Sequence, residues 1–159
     1  MAIIIAIADS LAEFKHSVVI DGGANIGQEA IIFGLKGYEV HTFEPLPGQY
    51  ANLKFNLRLN CVDVFAYNYG LGSKSHDLCV EEETSNRISA NTAGASISSI
   101  PESQDVDICP PERKIRVSTI DYIVTPKLNS RPVLLKLDCE GCEYVILLAA
   151  DLSSFQIFK

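Results

Sequence analysis

The chain has 159 residues, 47% hydrophobic and 21% charged, which is the size and composition of one globular domain with one sizeable core. A formal net charge of −7, with Lys and Arg scattered along the chain, argues against a protein that tracks nucleic-acid phosphates, because affinity there comes from clustered cations. Five cysteines, an odd number without regular spacing, read as free thiols in a reducing, cytoplasmic compartment.

In chain order, Ala2–Ala8 is apolar, follows no basic residue and is too short to span a membrane. Ile3–Phe14 is expected to include a helix packed on a sheet edge, with Asp9, Glu13 and Lys15 facing water. Val18–Asp21 reads as a buried strand. Ile26–Leu35 reads as a helix, apolar at Ile26, Ala30, Ile31 and Phe33, with a stop at Gly34 or Gly37. A second strand, Glu39–Glu44, is followed by a helix, Gln49–Leu59, opened by Pro45 and Pro47. Val62–Tyr67 reads as a third strand, closed by Gly70 and Gly72. This βαβαβ order predicts a parallel sheet with right-handed crossovers.

The pattern then changes. Asp77–Glu81 is a candidate hairpin strand. Thr84–Pro111, rich in small and polar residues without a period, reads as a long lid or acceptor loop. Lys114–Val117 is a returning strand, Thr119–Val124 a helical turn, Val133–Asp138 a buried strand and Glu143–Leu152 a helix. Gln156–Lys159 would begin a further strand. The fold expected is a single α/β domain over 1–159, Rossmann-like and doubly wound with a mostly parallel sheet. It is expected to be truncated, short of its C-terminal strands, or completed by a partner or by a second copy in a homo-oligomer.

Two segments carry chemistry. The first is Asp21-Gly22-Gly23-Ala24-Asn25-Ile26-Gly27. Asp21 lies at the carboxyl end of a strand, where open α/β sheets bind ligands. The glycines allow unusual dihedrals or the close approach of a ligand, and Asn25 best tolerates a left-handed backbone among the other residues. Glu44 lies 21 positions past Gly23, the place of an acid that accepts hydrogen bonds from ribose hydroxyls. A tight strand-to-helix turn would explain the glycines alone; the paired acid points to a nucleotide. The dinucleotide fingerprint G-x-G-x-x-G is not met, since Gln28 stands where its third glycine would be. The D-x-G-x-N-x-G form resembles the first motif of class I S-adenosylmethionine-dependent methyltransferases. That resemblance implies that Asp21, Gly22, Gly23, Ala24, Asn25 and Gly27 hold the amino-acid part of S-adenosyl-L-methionine and Glu44 its ribose. Adenine is expected near Asn68–Leu71, while Tyr67 and Tyr69 read as core or surface aromatics.

The second is Lys136-Leu-Asp-Cys-Glu-Gly-Cys-Glu143. Alternation puts Lys136 and Asp138 on one face. Asp138 and Glu140 fall on the same rim as Asp21 and Glu44, and Glu143 lies in the first turn of a helix, where the dipole favours an acid. Capping is the plainer account of such acids; their place on the ligand rim makes Asp138 or Glu140 the candidate general base. Asp138, Glu140 and Glu143 could offer hard oxygen ligands to a metal, but a metal-free site is preferred. His16, His41 and His76 lie in unrelated segments, and His41 reads as structural.

Together, Asp21–Gly27, Phe43-Glu-Pro45 and Lys136–Glu143 resemble the three signatures of the FkbM-type methyltransferases: D-x-G-A-N-x-G, F-E-P and K-I-D-x-E-G-x-E. Asn56 and Asn60 resemble asparagines of that family's second helix, and Thr119-Ile-Asp121 its T-L-D segment. The resemblance runs from Val18 to Leu148, with Cys139 and Cys142 as departures. It implies methyl transfer from S-adenosylmethionine to a hydroxyl of a sugar, lipid or small metabolite. Two other readings are a methyltransferase-like protein that binds without catalysis, and a redox protein using Cys139-Glu-Gly-Cys142 at a helix start.

Overall fold

The computed structural model describes residues 2–10, 17–79, 108–122, 132–139 and 142–150. Its elements are α1 (Ala2–Ser10), β1 (Val18–Gly22), α2 (Gln28–Leu35), β2 (Glu39–Phe43), α3 (Pro47–Leu59), β3 (Phe65–Tyr67), β4 (Gly70–Leu71), β5 (His76–Cys79), a 3-10 turn (Pro111–Arg113), β6 (Lys114–Ser118), β7 (Pro132–Leu137) and α4 (Cys142–Ala149). The main sheet runs β3-β2-β1-β7 with every pairing parallel. A smaller sheet runs β4-β6-β5, with β5 antiparallel to β6.

Period-two alternation along the parallel strands divides the core between two faces. Val19, Val40, Ala66 and Leu134 meet Ala30 and Phe33 of α2 and Leu53 and Leu57 of α3 on one side. Val18, Ile20, Phe43, Leu135 and Leu137 meet Ile120, with Cys142 and Ile146 of α4, on the other. The fold is therefore Rossmann-like, with helices on both faces of a mostly parallel sheet. Burial on both faces explains why Val18, Val19 and Ile20 are all apolar and fully enclosed.

The elements depart from expectation in instructive places. α2 starts at Gln28 rather than Ile26, because Asn25 and Gly27 have positive φ (52° and 91°) and hold the chain outside the helical region. α3 starts two residues early, with Pro47 at its first position, where a missing N–H is no loss. β3 is shorter than expected, and Gly70–Leu71 form a strand of their own beside β6 rather than closing β3. α1 packs chiefly on α2: Ala8 is buried in the cluster that α2 shares with the sheet, its carbonyl accepts from the Tyr38 hydroxyl at 3.0 Å, and Asp9 pairs with Lys36. Glu13 and Lys15, the loop expected over 84–111 up to residue 107, and the strand expected over 156–159 lie outside the described residues.

Free thiols are corrected for four of the five cysteines. Cys79, at the end of β5, is bonded to Cys109, and Cys139 to Cys142; Cys61 is free and exposed. The 3-10 turn returns the chain into β6 opposite β5, which puts the Cys79 and Cys109 Cα atoms 5.7 Å apart, well within disulfide reach. Among the described residues no helix is long and apolar enough to cross a membrane.

Candidate cofactor and active site

The glycine turn leaves β1 at the carboxyl edge of the sheet and is pinned on every side. The Gly23 and Ala24 amides donate to the Phe43 carbonyl at 3.1 and 3.0 Å, and the Gly27 amide donates to the Ala24 carbonyl at 2.8 Å. The Asn56 side chain, from α3, donates to the Ile26 carbonyl at 2.8 Å. Asn60, its neighbour in the sequence resemblance, instead caps the end of α3, its side chain donating to the Asn56 carbonyl at 2.9 Å.

The glycines answer the protein's own packing as much as any ligand. A Cβ on Gly23, at φ +80°, would be driven into the Asp138 carbonyl; one on Gly27, at φ +91°, would strike Leu53. One on Gly22 would meet Leu137 and Leu71 at 2.9 and 3.0 Å. Turn and second motif are thus in backbone contact, and the Asp138 amide donates to the Gly22 carbonyl at 3.0 Å.

Thr42, Asp21 and Lys136 form one row across β2, β1 and β7, each in register with the next. Asp21 is wholly buried. The Thr42 hydroxyl donates to its Oδ2 at 2.8 Å, and the Lys136 ammonium lies 3.0 Å from its Oδ1. The aligned hydrogen bond of that ammonium goes to the Gly23 carbonyl at 3.0 Å, so Oδ1 has a Coulombic partner but no aligned donor. Lys136 therefore joins the buried carboxylate to the turn above it. Sequence reasoning put Lys136 on the face of Asp138 and missed both Thr42 and the pairing with Asp21, because strand order and register are not local properties.

Glu44, at the carboxyl end of β2, is nearly buried. Its Oε2 accepts from the Asn25 amide at 2.8 Å and its Oε1 from the Leu46 amide at 3.0 Å. Each oxygen keeps a second lone pair for a ligand hydroxyl. Burial pushes the carboxyl up to about 7; the Leu46 and Asn25 hydrogen bonds pull it down, the Asp21 charge raises it and Lys136 lowers it. Asn68 holds the loop that follows, donating to the Glu44 and Pro45 carbonyls at 2.9 and 3.1 Å. Tyr67 stacks on Phe43 with centroids 4.9 Å apart and belongs to the core, as expected. His41 is buried between Tyr67 and Glu39, with ring nitrogens 3.0 Å from each, and is structural as expected.

Asp138 follows β7 on the same rim and is exposed. Glu140 lies outside the described residues. Glu143 acts as a cap: its carboxylate reaches back to accept from the Cys139 amide at 2.8 Å. Among the described residues no cluster of three or more His, Cys, Asp or Glu could hold a metal. The rim therefore brings together the glycine turn, Glu44, Asn68 and Asp138 at the ends of neighbouring strands.

S-Adenosylmethionine fits these residues on two observations. Glu44 is a buried carboxylate with spare acceptor capacity, the complement of a vicinal diol. Gly27, at the N-cap of α2, provides no side-chain cap, which leaves the first N–H groups of α2 and the positive end of its dipole for a carboxylate.

The family model for the methyltransferase FkbM domain matches residues 21–158, from Asp21 of the turn through both motifs. Neither the curated proteins nor the solved structures provide a match.

Proposed function

The chain belongs to the methyltransferase FkbM domain family and is a methyltransferase; from that premise we propose that it uses S-adenosylmethionine to methylate a hydroxyl oxygen of a sugar, lipid or small metabolite. The observation that carries this reading is the placing of Glu44, the glycine turn and Asp138 on one rim, with the turn braced against the Asp138 backbone.

Bound there, S-adenosylmethionine would supply a methyl carbon activated by a cationic sulfur. Glu44 would accept hydrogen bonds from the ribose hydroxyls, the Gly23–Asn25 backbone and the start of α2 would receive the methionine end, and the Asn68–Leu71 segment would border adenine. Aligning acceptor oxygen, methyl carbon and sulfur accounts for much of the rate in such a displacement. Asp138, exposed on the rim, takes the proton of the attacking hydroxyl, with Glu140 as the second candidate. The compartment is inferred from the cysteines. The cytoplasmic expectation rested on free thiols, whereas the Cys79–Cys109 bond is of the kind that oxidising compartments maintain.

The test is methyl transfer and S-adenosylhomocysteine affinity, measured separately, in Asp138→Asn and Glu140→Gln. Loss of the base lowers turnover about 10²- to 10⁴-fold while affinity holds. Wild-type turnover in both variants removes the carboxylate base from the mechanism. No calorimetric binding of S-adenosylhomocysteine by the folded chain removes the cofactor.

A second reading, thiol–disulfide exchange, draws on the Cys139–Cys142 bond at the start of α4. Cys142 is buried in the core cluster, which disfavours attack by an external thiol. An insulin-reduction assay decides it.

A further inference from the structure

Beside Asn68 a cavity of about 780 Å³ opens between β5, β6 and the 3-10 turn, within the usual size range of small-molecule sites. Its walls gather positive charge in a chain whose net charge is −7. Lys114 and Arg116 alternate on β6, so both project from one face, and both are exposed. Asp77 stands opposite Arg116 in the antiparallel ladder, yet its carboxylate pairs with Lys114 at 3.5 Å. Among the described residues, the Arg116 guanidinium has no carboxylate partner. His76 adds an imidazole whose Nδ1 donates to the Lys74 carbonyl at 3.0 Å, which leaves Nε2 as its other polar atom.

Position decides what this charge serves. Asn68 lines the cavity, and its side-chain amide clamps the Glu44–Pro45 backbone. The cavity therefore adjoins the end of the rim assigned to the nucleoside. The adenosine of S-adenosylmethionine carries no anionic group, so the cofactor leaves the cations unexplained. A guanidinium is the side chain suited to bidentate recognition of a carboxylate, phosphate or sulfate.

We propose that this cavity binds an anionic group of the methyl acceptor, with Arg116 as its principal contact and Lys114 in support. The assignment to the acceptor rests on the methyltransferase reading above. The acceptor then carries two separate groups, an acidic one that sits beside Arg116 and the hydroxyl that reacts at the Asp138 end of the rim.

The test uses the full oxidised chain titrated with inorganic phosphate, sulfate and acetate, followed by the NMR shift of the Arg116 Nε–H and by calorimetry. S-Adenosylhomocysteine is titrated in parallel. The expected result is saturable phosphate or acetate binding, weakened about tenfold or more in Arg116→Gln, with S-adenosylhomocysteine affinity unchanged. Asp77→Asn, which removes the competing carboxylate, strengthens anion binding several-fold, a gain that misfolding cannot produce. The relative affinities of phosphate and acetate tell which acidic group the cavity prefers. Absence of anion binding, or equal binding by wild type, Arg116→Gln and Lys114→Gln, overturns the site. Anion binding by a chain that does not take S-adenosylhomocysteine overturns its role in methyl transfer and leaves an anion site of another function.

Discussion

Lys136 places its ammonium 3.0 Å from Oδ1 of Asp21, a wholly buried carboxylate on the adjacent strand, and donates at the same time to the Gly23 carbonyl. One cation thus compensates the buried charge at the foot of the glycine turn and holds the turn's backbone in place. Removing it leaves a carboxylate with no exit to solvent.

Lys136→Met should therefore destabilise the fold by about 3–5 kcal/mol, the usual cost of leaving one partner of a buried pair alone. Asp21→Asn combined with Lys136→Met should recover most of that loss, because no charge is then stranded. Urea denaturation of both singles and the double gives the coupling. Additive effects would show that the pair is inert.

The pH dependence should centre on Glu44. Its folded carboxyl titrates at about 7 against an ordinary value of 4.5, so the folded state binds the proton more tightly than the unfolded chain. Its contribution to stability is complete below about 4.5 and is lost as pH rises through about 7, on the order of 3 kcal/mol in all. Other carboxylates titrate too, so the measurement is the difference in urea stability between wild type and Glu44→Gln from pH 4 to 8.5. S-Adenosylhomocysteine affinity should move the opposite way, rising through pH 7 as the carboxylate becomes the better ribose acceptor, and Glu44→Gln should flatten that rise.

Three glycines should respond differently to alanine. Gly23→Ala meets an immovable backbone carbonyl at a positive φ and should cost about 3 kcal/mol or more, with loss of S-adenosylhomocysteine binding. Gly27→Ala shares the positive φ but meets only the end of the Leu53 side chain, so its cost should be smaller. Gly48 lies in the first turn of α3 with nothing near its Cβ position, and Gly48→Ala should stabilise by about 0.5–1 kcal/mol. Thermal denaturation ranks the three.

The disulfides should separate stability from binding. The Cys79–Cys109 bond spans 30 positions, and the paired serine variant should lose roughly 3–4 kcal/mol on loop-entropy grounds. The Cys139–Cys142 bond closes a far shorter loop, for which the same relation gives roughly 2 kcal/mol. Its Cys139 backs directly onto Gly23, however, so its removal should weaken S-adenosylhomocysteine more than the Cys79–Cys109 change does. Calorimetry on each serine pair, with Cys61→Ser as control, reads both effects.

What could be read in advance had local causes. The apolar run Val18–Ile20, the positive-φ tolerance of Asn25 and the spacing from Gly23 to Glu44 follow from steric preference and from the length of a βαβ unit. They pointed to the sheet, the turn and the acid at the end of the next strand. His41 was likewise read as structural, and Tyr67 as a core or surface aromatic rather than a ligand-stacking residue; the first is buried and the second packs against the core. Glu143, open to either reading in the sequence, proved to be a cap because its carboxylate turns back to accept from the Cys139 amide.

Strand pairing decided the rest. Residues 115 positions apart, Asp21 and Lys136, become partners only because β7 lies beside β1 in register. The same pairing turns Gly23 from a ligand-facing gap into a contact with Asp138, and β5 beside β6 converts supposed free thiols into a bond. The chain by itself determined the kind of turn it makes and where its acids fall along the strands, since backbone sterics and periodicity act within a few residues. Only the tertiary structure determined which charges neutralise one another and what the glycines face, because burial and Coulomb energy depend on neighbours that sequence distance does not reveal.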